Sequence, residues 1–449
     1  MFEPSTQIAS ILTAIASNPN AGAGMRLTQQ RESEFASPVQ AQLAGIAADP
    51  QDRTVADRVL DASWSDAAGQ LALLRATGTD REVIIGSGFH AAVYCAVRVL
   101  SGYPKPLVLE RGPRIGGAFA VTDWPTFYLN SRNRRGSAGL AGDHGASLNY
   151  LPGAPIQAAN LSMSEYQTNT DMAFLIRLTL AQFADVVSNA RVVSVIGTGA
   201  AVQIEITDRD PLFAGRVIDA RGLGDPSGQD VANGSTILTF DQFMRRMAGV
   251  WPLRGLRRVA VIGGGDSAKC AVESLLGIAP QPPMATAALD SVDRIDWYSY
   301  EVPITCKQWR RESRGRYQAI GRYLRPDRMG VRRLTVIGAR PQPIALPGLG
   351  LIEGRTYDLV IVCTGNRETT IDGLAFDSFT EYGTPDRTVV ARKHENMPVF
   401  RIGPHARLPF TPQERVSGIA NIPANAVAMF RTATKTAALA ATLPAVTQG

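Results

Sequence analysis

Two stretches of the same design stand out in this chain. One is "EVIIGSGFHAAV", Glu82 to Val93, and the other is "VAVIGGGDSAKC", Val259 to Cys270. Each begins with an apolar run of strand length, breaks at glycines, and continues as a run suited to a helix. Gly86-Ser87-Gly88-Phe89-His90-Ala91 and Gly263-Gly264-Gly265-Asp266-Ser267-Ala268 both fit the G-x-G-x-x-G/A pattern. Its first glycine permits the tight turn, and its second lets backbone approach a pyrophosphate. The small third residue lets the helix pack on the strand. Two such units imply two parallel-sheet domains, each with a phosphate-binding turn.

The surrounding residues extend the first unit. After the helix-compatible run to Leu100 comes "PLVLE", a second strand, whose last residue is Glu110. A carboxylate about twenty residues past the first glycine is placed to accept hydrogen bonds from ribose hydroxyls. The plain alternative is an ordinary strand–helix turn with a surface glutamate. Further runs, "RVVSVIG", "AVQIEITD", "GRVIDARG", "RIDWYSY", "LTVIGAR" and "YDLVIVCTG", read as strands. Residues 1 to about 80 hold helix-like stretches, with Leu60, Trp64, Ala68 and Leu71 at helical spacing, and "NAVAMFRTATKTAALAATL" reads as a closing helix.

Composition narrows the function classes. A chain of 449 residues is too long for one ordinary core. Apolar residues make up 45% and charged residues 19%, which suits a well-buried globular protein. No apolar run approaches the ~18–20 residues of a membrane span. The first residues carry Glu3 and no basic cluster, so no signal peptide is read, and a cytoplasmic, membrane-free protein is expected. The net charge of +6 comes mostly from scattered arginines without a nucleic-acid-binding signature, so no nucleic-acid partner is expected. The four cysteines form no CxxC pair, and the four histidines show no HxH or HExxH spacing; no metal site is expected.

With these residues in view, the chain resembles the two-dinucleotide-binding-domain flavoproteins. That group contains thioredoxin-reductase-like enzymes and the flavin-containing and N-hydroxylating monooxygenases. The resemblance rests on the two glycine turns, on Gly116-Gly117 in "RGPRIGGAFA" after Glu110, and on "VIDARG" and "VIVCTG", which stand where that group has ATG-like exit turns. It implies an α/β fold of two Rossmann-like domains, the NAD(P) domain inserted in the FAD domain, behind an N-terminal helical extension. The expected boundaries are 1–80 for the extension, 81–252 with 369–449 for FAD, and 253–368 for NAD(P). FAD would lie against Gly86 to Ala91, Glu110, Arg111, Gly116, Gly117, Asn130, Ser131 and Gly403. NADPH or NADH would lie against Gly263 to Ala268, Thr364 and Gly365. Glu301 suits NADH; Lys307, Arg310 and Arg311 suit the 2′-phosphate of NADPH. The negative charge of Asp266 in a phosphate turn calls for an arginine nearby.

Three departures bear on the reaction. The missing CxxC disfavours a disulfide reductase. In "VFRIGPHA", Pro404 stands where the reductase group has an aspartate, which disfavours that group again, and His405 is one candidate for the flavin's neighbourhood. "FYLNSRNRRG" offers Asn130 where the flavin-containing monooxygenases carry an asparagine near the flavin's reacting edge; Asn133, Arg132, Arg134 and Arg135 are further candidates. Asn130 capping a turn is the alternative. The glycine-rich stretch Ser137 to Gln157 is a candidate pocket wall. The expected function is a monooxygenase of a small molecule, with hydride passing from NAD(P)H to FAD and molecular oxygen activated as a flavin peroxide. The alternatives are an NAD(P)H–flavin oxidoreductase or dehydrogenase without oxygen insertion, and a flavin-binding protein with an inactive nicotinamide site. Members of the group often form homodimers, so a homodimer is implied.

Overall fold

The computed structural model describes residues 57, 60–61, 64–75, 78–100, 103–120, 127–132, 166–199, 201–222, 224–248, 255–278, 292–300, 307, 309, 316–331, 333–381, 391–403 and 406. Its two largest sheets use β1 (Glu82–Ile85), β2 (Leu107–Leu109), β3 (Asp185–Val187), β4 (Arg216–Asp219), β5 (Ile237–Thr239), β6 (Arg258–Ile262), β7 (Arg294–Tyr298), β8 (Leu334–Ile337), β9 (Leu359–Val362), β10 (Phe379–Glu381), β11 (Ala391–His394) and β12 (Val399–Ile402). The helices are α1 (Ala67–Arg75), α2 (Phe89–Leu100), α3 (Asn169–Phe183), α4 (Phe240–Ala248) and α5 (Asp266–Leu275).

The first sheet runs β10-β11-β12-β4-β1-β2-β3, parallel from β12 to β3, with β10 and β11 antiparallel at the edge. The second runs β5-β9-β6-β7-β8 and is parallel throughout. A parallel sheet is covered on both faces, so its strands read as continuous apolar runs. β6 shows this: Val259 and Val261 enter one buried cluster, Ala260 and Ile262 another. Antiparallel three-stranded sheets follow β3 (Val192–Gly197, Val202–Ile206, Leu212–Ala214) and β8 (Ile344–Leu346, Leu349–Ile352, Arg355–Tyr357).

The second sheet lies in sequence between β4 and β10, both strands of the first, so the second unit is an insertion. Ile237 and Leu238 are fully buried, and β5 pairs with β9, which carries residues 237–248 into the inserted unit. A three-residue strand is too short for its periodicity to announce which sheet it joins.

The extension corrects one expectation. Trp64 is buried, but Leu71 is 46% exposed and Ala68 is also exposed. The Asp66 carboxylate accepts from the amides of Ala68 (3.3 Å) and Gly69 (2.9 Å), starting α1 afresh at Ala67. The restart rotates the buried face to Gln70, with Leu73 and Leu74 packed on the first sheet's core. The closing helix expected near the C-terminus lies outside the described residues.

Candidate functional site

Both glycine turns leave the carboxyl ends of central strands, the edge at which open α/β sheets bind ligands. In the first, the amide of Gly86 donates to Leu109 O (2.8 Å), which ties the turn to β2. Gly86 has φ +97°, and a Cβ there would sit 2.9 Å from Ala220 O. Gly117 has φ +63°, and a Cβ there would come within 2.7 Å of the Gly88 Cα. The Gly116-Gly117 loop therefore lies backbone to backbone on the turn. Only glycines allow that approach, and it leaves a side-chain-free surface at the start of α2, whose first amides have no carbonyl within the helix to reach.

Ser87 and Glu110 hold this arrangement together. Glu110 Oε2 accepts from the Ser87 amide (3.2 Å) and hydroxyl (2.7 Å), and Oε1 accepts from the Gly112 amide (3.0 Å). The Gly116 amide donates to Ser87 Oγ (3.1 Å). Ser87 is buried and Glu110 half-buried. Phe89 and Ala91 face the core, and Ala91 is fully buried, as helix-on-strand packing requires. His90 is buried with its ring against Gly403, where an added Cβ would stand 3.0 Å from the His90 Cγ. Burial pulls its pKa down to about 4, so the ring is neutral, and its Nε2 is buried without a hydrogen-bond partner. Such an atom fits a site completed by a polar ligand.

The second turn repeats the logic. Gly263 has φ +128°, and a Cβ there would overlap the carbonyl oxygen of Cys363 at the end of β9. Its amide donates to Tyr298 O (2.9 Å), and its carbonyl accepts from the buried Trp297 Nε1 (2.7 Å). Gly264 is buried; Gly265 is the N-cap of α5, carries no side-chain cap, and opens onto free space. Ser267 is half-buried, and Ala268 packs in the core. An uncapped helix start facing open space suits an anion. Among the described residues the charge of Asp266 is paired with Lys269 (3.4 Å), because one helical turn brings i and i+3 together.

The exit turns meet where the two units join. Asp225–Pro226 pairs with Asn366–Arg367 in an antiparallel ribbon, and the Ser227 amide donates to Gly365 O (2.8 Å). Arg221, the residue replacing the expected threonine, forms a fork on Asp219 (2.8 Å) and reaches Glu368 (3.1 Å) and the Thr369 carbonyl. Arg401 of β12 joins Asp219 (3.0 Å) and Glu368 (2.8 Å) from the other side. Arg111 extends to Asp225 (3.1 Å) and Thr369 (3.4 Å) at this junction. Thr364 is half-buried, and its carbonyl accepts from Arg340 (3.1 Å).

The remaining candidates are less defined. Asn130 and Ser131 lie in the strand Tyr128–Arg132, paired with Tyr166–Thr168, rather than in a turn. Their side chains lie outside the described residues, as do Asn133, Arg134, Arg135, the stretch Ser137 to Gln157, Glu301, Arg310, Arg311, Pro404 and His405. Lys307 is exposed, two residues before Trp309, which is 1% exposed and packs edge-on to Trp297. Cys95, Cys270 and Cys363 are buried and outside any disulfide; burial raises the pKa of Cys95 and Cys363, so neither is a thiolate. Lys269, Arg340 and Arg177 were not singled out from sequence. Arg177 had a signal: it is the lone cation in the run "DMAFLIRLTLAQF".

No protein-family model matches the chain, and no curated protein matches it. Solved structures do. An ornithine N-hydroxylase from Kutzneria sp. 744 is 14% identical with a TM-score of 0.51, over 80% of this chain and 98% of that one. A variant flavin monooxygenase from Stenotrophomonas maltophilia is 18% identical with a TM-score of 0.50, over 81% and 98%. A thioredoxin reductase from Lactococcus lactis is 15% identical with a TM-score of 0.46, over 81% and 99%. The fold is that of the two-dinucleotide-binding-domain flavoproteins.

Proposed function

We propose that the chain is an FAD-dependent, NAD(P)H-using oxidoreductase, and within that class a monooxygenase of a small molecule. The observation that carries the reading is the pair of glycine turns, each clear of side chains at the carboxyl edge of its own parallel sheet. Gly86, Gly88 and the Gly116-Gly117 loop would hold the pyrophosphate of FAD, and Glu110 its ribose. Gly263 to Ala268, with the uncapped start of α5, would hold the nicotinamide dinucleotide. When bound, the pair supplies hydride transfer and a reduced ring able to react with oxygen. The protein's part is placement: the glycines admit the phosphates, the Asp225–Arg367 ribbon sets one domain against the other, and Lys269 neutralises Asp266.

The finer assignment to a monooxygenase rests on chemistry. A dithiol reductase needs a reactive cysteine pair; the three described cysteines are buried, and burial raises the pKa of Cys95 and Cys363. The strand carrying Asn130 is bonded to the start of α3, where Phe127 and Asn169 exchange hydrogen bonds of 3.0 and 2.9 Å. The second reading, a reductase or dehydrogenase that inserts no oxygen, keeps both nucleotide sites. The kindred structures include an N-hydroxylase and a flavin monooxygenase, which supports the first.

The test is anaerobic mixing of the purified protein with NADPH and with NADH, then oxygen. Bleaching of a yellow protein followed by oxygenated product in step with NADPH consumption supports the monooxygenase. Bleaching with all reducing equivalents recovered as hydrogen peroxide across a panel of amines, thioethers and ketones supports the second reading. No bleaching with either nucleotide refutes hydride transfer altogether.

A further inference from the structure

The extension has a use that the two nucleotide turns do not explain. Arg177 sits in the middle of α3 with none of its surface exposed. Its Nε meets Asp57 Oδ1 (2.9 Å), and its Nη2 meets the Asp57 carbonyl (3.0 Å) and Asp61 Oδ1 (2.8 Å). Its Nη1 donates to Ile115 O (3.4 Å), the carbonyl preceding the Gly116-Gly117 loop. Arg114, on the same loop, also pairs with Asp57 (3.6 Å). Trp64 lies under the guanidinium, 5.1 Å from ring centre to Cζ, and is itself buried. A Cβ on Gly116 would stand 3.7 Å from the Arg177 Cγ, so loop and arginine are in direct contact.

We propose that Asp57 and Asp61 of the extension act as a strap that positions the cofactor loop. Asp57 and Asp61 orient Arg177, Arg177 holds the Ile115 carbonyl, and the Gly116 amide on the other side of that peptide holds Ser87 Oγ, which in turn holds Glu110. The chain of bonds runs from the extension to the carboxylate assigned to the ribose. Arg177, Asp57 and Asp61 are positioning residues, because none of them lies in the glycine turn. A buried guanidinium without its carboxylates would seek other acceptors, and the loop carbonyl would lose its fixed donor. The inference rests on the FAD reading for its consequence, but not for its local geometry.

The test compares the full-length double variant Asp57→Asn with Asp61→Asn against Gln70→Ala. The latter severs the bonds from Gln70, in the same extension, to the Trp64 carbonyl and to Ser188 of the body while leaving both acids in place. Hydrogen exchange of residues 112–120 is followed without FAD, and FAD affinity by titration of the apoprotein. The double variant should exchange faster at 112–120, with α2 and β1 unchanged, and bind FAD about tenfold more weakly or worse, the loss expected for a charged hydrogen bond. Arg177→Lys, which keeps the charge but loses the fork, should show the same local change and serves if the double variant does not fold. Unchanged exchange and affinity overturn the strap, as do equal losses from Gln70→Ala, which would make the extension a general cover. If wild type binds no FAD, the functional reading falls while the exchange data still decide the strap.

Discussion

Lowering the pH should unfold this protein partly through one histidine. His90 is buried beside Gly403, and burial pulls its pKa down from 6.5 to about 4. The folded state therefore holds the ring neutral, while the unfolded chain protonates it near its ordinary value. A depressed native pKa means stability that is present above the unfolded pKa and lost as pH falls through the folded one. Between pH 7 and pH 4 the loss is about 3 kcal/mol, a shift of roughly 2.5 pKa units at 1.36 kcal/mol each, less the small protonation already present at neutrality. Carboxylates titrate over the same range, so the assay is a difference: urea unfolding of wild type and of His90→Gln at steps from pH 7 to pH 4. The wild-type advantage should shrink, or the variant overtake, by about 3 kcal/mol across the window. Parallel stability curves, or a directly measured His90 pKa near its ordinary value in the native protein, would refute the reasoning.

Other expectations follow from named contacts. Gly263→Ala should raise the Km for the nicotinamide by two orders of magnitude or so, because positive φ and overlap with the Cys363 carbonyl cost about 3 kcal/mol or more at the turn; FAD binding should be spared, and steady-state kinetics checks both. Asp219→Asn should destabilise by about 3–5 kcal/mol by leaving two buried cations, Arg221 and Arg401, on Glu368 alone, whereas Asp225→Asn, whose bridge to Arg111 is exposed, should cost less than about 1 kcal/mol; denaturant melts separate them. Alkylation of the native protein followed by peptide mapping should leave Cys95, Cys270 and Cys363 unlabelled, and label at Cys363 would reopen a thiol mechanism.

The interdomain junction shows where the sequence pattern stops being informative. "VIDARG" was readable as an exit turn, and Arg221 as a departure from it. What Arg221 does is visible only because β4 and β12 are neighbours in the sheet while Glu368 arrives from the far end of the inserted unit. Asp296 is similar: fully buried in β7, it receives Arg294 (2.8 Å) from its own strand and Tyr357 (2.8 Å) from a strand far along the chain.

Local chemistry determined much of the rest. The strand runs and the glycine turns were legible from sequence because each depends on near neighbours: backbone sterics at Gly86 and Gly263, and apolar continuity in buried parallel strands. Tertiary structure alone decided that β5 joins the second sheet, and that Arg177 serves the loop before Gly116. Those outcomes turn on which distant groups share a buried space. A buried charge takes whichever partner the fold supplies, and that choice leaves no periodic mark in the chain.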